Sequence, residues 1–220
     1  MIAEHAGDLR AARVLDDGCG IGTYVGRLGE VAHQSVGIDF ELERAQQAGH
    51  RIGHRVACAA SEHLPFPDHT FDLVLSNEVI EHVQDDREAV AEMARVLRPG
   101  GRAIIFCPNR WYPVEQHGVY WRGRYHFGNI PLVNYLPDPL RDRLAPHVRT
   151  YTRGRLLRLL EGLPLQVVYE TRIFGGYDNL IARFGPAARF LRAGLHGAER
   201  TPARVLGLSH LLVAERTQPV

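Results

Sequence analysis

Three glycines at alternate positions, Gly18, Gly20 and Gly22, follow two adjacent acids, Asp16 and Asp17, in the stretch VLDDGCGIGTY. Glycine permits a tight turn and lets backbone approach a ligand closely. Further on, Asp39 closes the run SVGIDF. A carboxylate about 20 residues past a glycine loop suits the two hydroxyls of a ribose. A dinucleotide loop would offer the same features, but G-x-G-x-x-G needs glycine at position 23, where Thr23 stands. Asp16 and Asp17 would repel a pyrophosphate and attract a ligand bearing an ammonium and a sulfonium. These residues point to a nucleoside with a cationic tail.

Groups able to move a proton lie further on. Glu78, Glu81 and His82 fall in NEVIEH, and Glu115, His117, Tyr125 and His126 fall in a later aromatic stretch. Glu78 and His82 are four apart and share a face if that stretch is helical. His82, His117 and His126 are the catalytic candidates. Each has an ordinary reading beside it: His82 as a residue orienting its loop, the other two as solvated loop histidines. Glu115, His117 and His126 lack the ordered spacing of a metal site, so none is expected.

The elements that must position these groups alternate. ARVLDD, SVGIDF, HRVACAA, HTFDLVLSN and GRAIIFCPN read as strands. GTYVGRLGEVAH, ELERAQQAG and QDDREAVAEMARVLRPGG read as helices, the last with acids in its first turn and Pro-Gly-Gly at its end. Such alternation makes a doubly wound α/β domain with a mainly parallel sheet and helices on both faces. Ligands bind such sheets at the carboxyl ends of the strands, where the glycine loop falls.

Residues 109–150 interrupt the pattern after the fifth strand. They are rich in Pro, Arg and aromatics, with Trp111, Tyr120, Trp121, Tyr125 and Phe127 among Arg110, Arg122 and Arg124. A stretch this long without strong periodicity reads as a lid or substrate-binding element. TRGRLLRLLEG then reads as a helix, LPLQVVYETRIF as a strand and LSHLLVAERT as a last strand. Between those strands, residues 178–196 read as a helix restarted at Pro186, with Leu180, Ile181, Phe184, Phe190 and Leu191 against Arg183, Arg189 and Arg192. A basic amphipathic surface of this kind is compatible with lipid. The chain is therefore read as one domain, 1–220: a cofactor-binding half (1–107), an insertion (108–150) and a C-terminal part (151–220) that completes the sheet.

Charge divides the same way. Residues 1–107 carry ten Arg against seventeen Asp and Glu, a balance of −7, and residues 108–220 carry sixteen Arg against eight acids, +8. The basic half suits an anionic partner, a membrane surface included, but a pI of 7.9 falls short of a nucleic-acid binder. No apolar run reaches the roughly 18–20 residues of a membrane span. The N-terminal residues lack a signal-peptide pattern, and three scattered cysteines read as reduced thiols. The expected location is cytoplasmic, with peripheral contact to a membrane.

Taken in order, VLDDGCGIGTY, VGIDFE, LPFPDHTFDLVLSNEVIEHV and VLRPGG resemble four successive motifs of the class I S-adenosylmethionine-dependent methyltransferases, in particular the ubiquinone/menaquinone type. The resemblance covers residues 13–107 closely and the last strand loosely. It implies a Rossmann-like seven-stranded sheet with an antiparallel last strand, and S-adenosyl-L-methionine as methyl donor, leaving S-adenosyl-L-homocysteine. It implies that the loop of Gly18, Cys19, Gly20 and Gly22 wraps the methionine part above Asp16, and that Asp39 holds the ribose. Phe40 would lie along the adenine, Ser61 and Glu62 would meet its edge, and the backbone of Asn77 would face the methionine amine. The acceptor would be a small molecule or a lipid- or quinone-like compound, methylated on oxygen, carbon or nitrogen.

Three departures from the family pattern carry expectations. Asp17 replaces an aliphatic residue and is expected to be paired by an arginine. Ala60 stands where an aspartate usually accepts the adenine amino group, so Ser61 or Glu62 must accept instead. Only about a dozen residues precede the first strand, so the insertion is expected to cover the site in place of an N-terminal helix. Two other readings stay open: an NAD(P)-dependent oxidoreductase, and a non-catalytic cofactor-binding protein of the same fold.

Overall fold

The short apolar runs of the N-terminal half pair side by side into one sheet. A computed structural model describes residues 2–53, 55–177, 181–182 and 185–218. Leu180, Arg183 and Phe184 of the amphipathic helix expected at 178–196 lie outside them. Five strands come early: β1 (Arg13–Asp17), β2 (Gln34–Asp39), β3 (Val56–Cys58), β4 (Phe71–Asn77) and β5 (Leu97–Pro108). Four short ones follow in the insertion: β6 (Val114–Glu115), β7 (Val119–Trp121), β8 (Arg124–His126) and β9 (Ile130–Pro131). β10 (Leu165–Ile173) and β11 (Ser209–Arg216) return to the sheet, whose order is β10-β11-β5-β4-β1-β2-β3. The sheet is mostly parallel with one antiparallel strand, as the resemblance implied.

Parallel strands covered on both faces must be apolar along their whole length. Leu15, Leu73, Leu75, Ile104 and Ile105 are accordingly inaccessible to solvent. A short α1 (Ile2–His5) precedes β1, and helices α2 (Thr23–Gly29), α3 (Leu42–Ile52) and α4 (Asp86–Val96) connect the strands. The Asp85 side chain caps α4 by accepting the N–H groups of Arg87 and Glu88, both at 3.0 Å. The guanidinium of Arg216 closes its other end on the carbonyls of Ala94, Arg95 and Leu97. Pro99-Gly100-Gly101 lies beyond the end of α4, inside β5. Phe71 pairs with Leu97 and Leu73 with Arg102, so the intervening residues bulge.

The chain divides into two compact units. The first comprises the residues up to Phe106, Arg155–Glu170, and those from Leu212 on. The second comprises Cys107–Gly154 and Thr171–Leu211. Within the second, β6 pairs antiparallel with β9 and β7 with β8, and α5 (Asp138–Leu144) follows. Strands of two or three residues explain why this stretch shows so little periodicity in sequence. The later helix Pro186–Ala198 begins at the proline that was expected to restart it. Among the described residues, no helix is long and apolar enough to cross a membrane.

Candidate functional site

β1 ends on Asp16 and Asp17, and its pleat sends the two side chains to opposite faces. Asp17 is inaccessible and accepts the Ser61 hydroxyl at 2.6 Å. Its partner is this hydroxyl and not the arginine expected from sequence: one hydrogen bond offsets part of the burial without a second buried charge. Burial and the neighbouring carboxylates Glu62 and Asp39, opposed by the Ser61 bond, push Asp17 up to about 7. Asp16 is likewise pushed to about 7, by burial first and Asp17 second, against the N–H of Val25. The second oxygen of each carboxylate is buried without a hydrogen-bond partner among the described residues.

The loop beyond has φ +74° at Gly18, +55° at Gly20 and +79° at Gly22, the left-handed region that side chains disfavour. A Cβ at Gly18 would stand 2.3 Å from Val79 Cγ2, and one at Gly22 would crowd Ala48 and Ile52 of α3. A Cβ at Gly20 would meet nothing, so that glycine answers to its dihedral alone. The Cys19 N–H donates to the Ile38 carbonyl at 2.7 Å, while its thiol turns inward against Val25 and Ala48. Burial pushes that thiol up to about 12, so it stays protonated and inert. Asp39 ties the loop to the next strand: its carboxylate accepts the N–H of Gly20 at 2.8 Å and of Glu41 at 2.9 Å.

A cleft of about 760 Å³ opens beside this loop in the first unit. Of the residues expected to bind a cofactor, it brings together Gly18, Asp39, Phe40, Ser61 and Glu62, along with Ala60. Asp16, Cys19, Gly20, Gly22 and Asn77 are not on its wall; the first four form the strand end and loop beside it, and Asn77 ends β4. Phe40 is 73% exposed, a free aromatic face for a flat base. Glu62 Oε1 accepts the N–H groups of Gln84 and Asp85, at 2.7 and 3.3 Å. Ser61 donates its proton to Asp17, which leaves the hydroxyl lone pairs to accept.

The opposite wall comes from residues 78–88. NEVIEH is a turn there and not a helix, so Glu78 and His82 do not share a helical face. Glu78 holds φ +57° and donates its N–H to the Phe106 carbonyl at 3.0 Å, and the His82 N–H closes the turn on Val79. His82 lines the cleft, its imidazole 3.9 Å from the buried carboxyl of Glu81. Burial, with Glu78 beside it, holds Glu81 well above the usual carboxylate range. Sequence reasoning missed Glu41 and Arg44 at the start of α3, and Asp85 and Glu88 on this wall. The only signal was their place at helix starts. In all, six carboxyl side chains and one arginine, Arg44, line the cleft, and Glu41 pairs with Arg44 at 3.0 Å.

The remaining two candidates belong to the second unit. Arg141 and Glu115 are fully buried there and paired at 2.8 Å. Arg141 also donates to the Val148 carbonyl, and His117 Nδ1 lies 3.0 Å from Glu115 Oε1. Burial pushes Glu115 up, but the His117 donors and Arg141 outweigh it and hold the carboxyl below its ordinary value. His117 is thus part of a charge network inside its own unit. His126 is exposed on β8.

The residues fit a nucleoside sulfonium. The cleft volume lies in the usual range for small-molecule sites. Its acids, and the partnerless oxygen of Asp16 beside the glycine loop, suit positive charge and N–H donors. Residues 15–105 match the family described as "Methyltransferase domain". A probable S-adenosylmethionine-dependent methyltransferase of Mycolicibacterium smegmatis is 36% identical over 100 residues, 44% of this chain and 38% of that one. A ubiquinone/menaquinone biosynthesis C-methyltransferase of Cupriavidus metallidurans is 32% identical over 129 residues, 55% of this chain and 50% of that one. The chain thus spans half or less of the length of these relatives. The crystal structure of an S-adenosylmethionine-dependent methyltransferase from Mesorhizobium loti superposes with a TM-score of 0.68 at 21% identity, over 98% of this chain and 95% of that one, and shares the fold. Over residues 15–105 the chain matches a methyltransferase domain and is similar to S-adenosylmethionine-dependent methyltransferases, ubiquinone/menaquinone-type enzymes among them.

Proposed function

We propose that the protein transfers the methyl group of S-adenosyl-L-methionine to an oxygen, carbon or nitrogen of a small-molecule or quinone-like acceptor. The observation that carries this reading is the Asp39 carboxylate, which ties down the glycine loop and lines an acidic cleft. Asp39 would hold the ribose, Phe40 the adenine face and Ser61 the adenine edge, in place of the aspartate that Ala60 replaces. The backbone of Gly18–Gly22 and of Asn77 would take the methionine part.

The bound donor supplies an electrophilic methyl on a positively charged sulfur. The protein's part is to orient the acceptor in line with that methyl and to exclude water, which supplies several kcal/mol. Burial and the neighbouring Glu78 raise the Glu81 carboxyl toward its protonated form. An acceptor O–H or N–H has His63 and His82 as imidazoles on the cleft wall. The C-methyltransferases among the relatives support a quinone-like ring carbon as acceptor.

The test uses donor labelled on its methyl group, incubated with the protein and a cell extract and then partitioned between organic and aqueous phases. Label in the organic phase, lost with Asp39→Ala, supports a quinone- or lipid-like acceptor. Label in an aqueous small molecule keeps methyl transfer and discards that class. Donor binding without transfer moves the reading to a non-catalytic cofactor-binding protein. NADH binding without donor binding moves it to an oxidoreductase.

A further inference from the structure

We propose that the β7–β8 hairpin is a membrane-docking element that seats on an anionic lipid surface. Trp121 pairs with Arg124 across the hairpin, and Arg122-Gly123 forms the two-residue turn. Both turn residues have positive φ, +49° and +77°, the geometry of a type I′ turn. That turn favours Asn, Asp or Gly at its first position, and a long side chain is uphill there. A guanidinium held at the tip against local preference is a mark of function.

The two faces of the hairpin differ. Tyr120 and Tyr125 pair on one face, ring centroids 5.2 Å apart, and both pack edge-on against His147. The Tyr125 hydroxyl donates to the His117 carbonyl, and Gly118 closes the base, where a Cβ would meet the His126 carbonyl at 2.4 Å. This face is anchored to its own unit. Trp121 and Arg124 stand on the other face, with Arg122 at the tip and Phe127 just beyond. Trp121 is 58% and Phe127 82% exposed. Among the described residues, neither arginine makes an ion pair.

The occupant follows from the chemistry. Between Glu115 and Asp138 the chain carries no acid, so nothing there neutralises the two arginines. Large aromatics beside guanidinium groups suit the level of lipid headgroups, the rings inserted and the cations on phosphate. A nucleic-acid face would need more phosphate contacts than two arginines provide.

The test is co-sedimentation with vesicles of phosphatidylglycerol and phosphatidylcholine against vesicles of phosphatidylcholine alone. The protein should bind the anionic vesicles, more weakly as salt rises. Arg122→Gly should leave melting temperature unchanged or higher, since glycine suits the turn, yet weaken vesicle binding about five-fold. Adding Arg124→Gln should bring the loss to about 25-fold. In a Trp111→Phe background, Trp121 fluorescence should shift to the blue on anionic vesicles. Equal binding by the double variant, or no binding by the wild type, would overturn the proposal. Binding of an RNA or a protein by the hairpin in place of vesicles would also overturn it.

Discussion

Asp17→Asn should stabilise the protein in alkaline solution and leave little gain in acid. The carboxyl is inaccessible, holds one hydroxyl partner and titrates near 7 in the folded state, against 3.8 for the free group. Between these values the unfolded chain ionises while the folded state keeps its proton, so stability falls as pH rises. At 1.36 kcal/mol per pH unit, the full loss above pH 7 is about 4 kcal/mol. Asparagine mimics the protonated form at every pH and escapes it. The stability difference between variant and wild type should therefore grow by about 2.5 kcal/mol from pH 5 to pH 8. Asp16 titrates in both proteins and cancels, except that losing the Asp17 charge eases its ionisation and adds to the gain. Urea unfolding at the two pH values measures the difference directly. A difference constant between pH 5 and 8 would refute the reasoning, because Asp17 would then titrate alike in both states.

The same carboxyls should govern donor binding. If one must ionise to meet the cation, affinity for S-adenosyl-L-methionine should rise about tenfold from pH 6 to pH 8, read by calorimetry; a flat profile would exclude them. Gly18→Ala places a Cβ against Val79 at an unfavourable φ and should cost about 2–4 kcal/mol and abolish donor binding, whereas Gly20→Ala should cost about 1 kcal/mol; equal melting temperatures for the two would contradict the packing. Arg141→Met leaves Glu115 buried without its cation and should cost about 3–5 kcal/mol, most of it recovered by adding Glu115→Gln; thermal unfolding of the pair decides it.

The alternation of apolar runs with amphipathic helices was enough to read a doubly wound parallel sheet, because strands covered on both faces leave a continuous hydrophobic record. The glycine loop and Asp39 were legible for a related reason. A left-handed turn admits few residues, and a carboxylate at the end of the next parallel strand necessarily falls beside it. Local rules of this kind operate within a few residues or one βαβ unit, and sequence carries them openly. The partner of Asp17 was not legible: Ser61 reaches it from 44 residues away. Nor was the turn at 78–84, whose acids resemble a helix face until the positive φ of Glu78 breaks it, or the packing of Val79 on Gly18. The buried Glu115–Arg141 pair and the exposed hairpin emerged only from strands too short to leave a period. Burial, charge pairing and the acidity of Asp16 and Asp17 depend on which distant side chains share a low-dielectric space, and only the tertiary structure decided that.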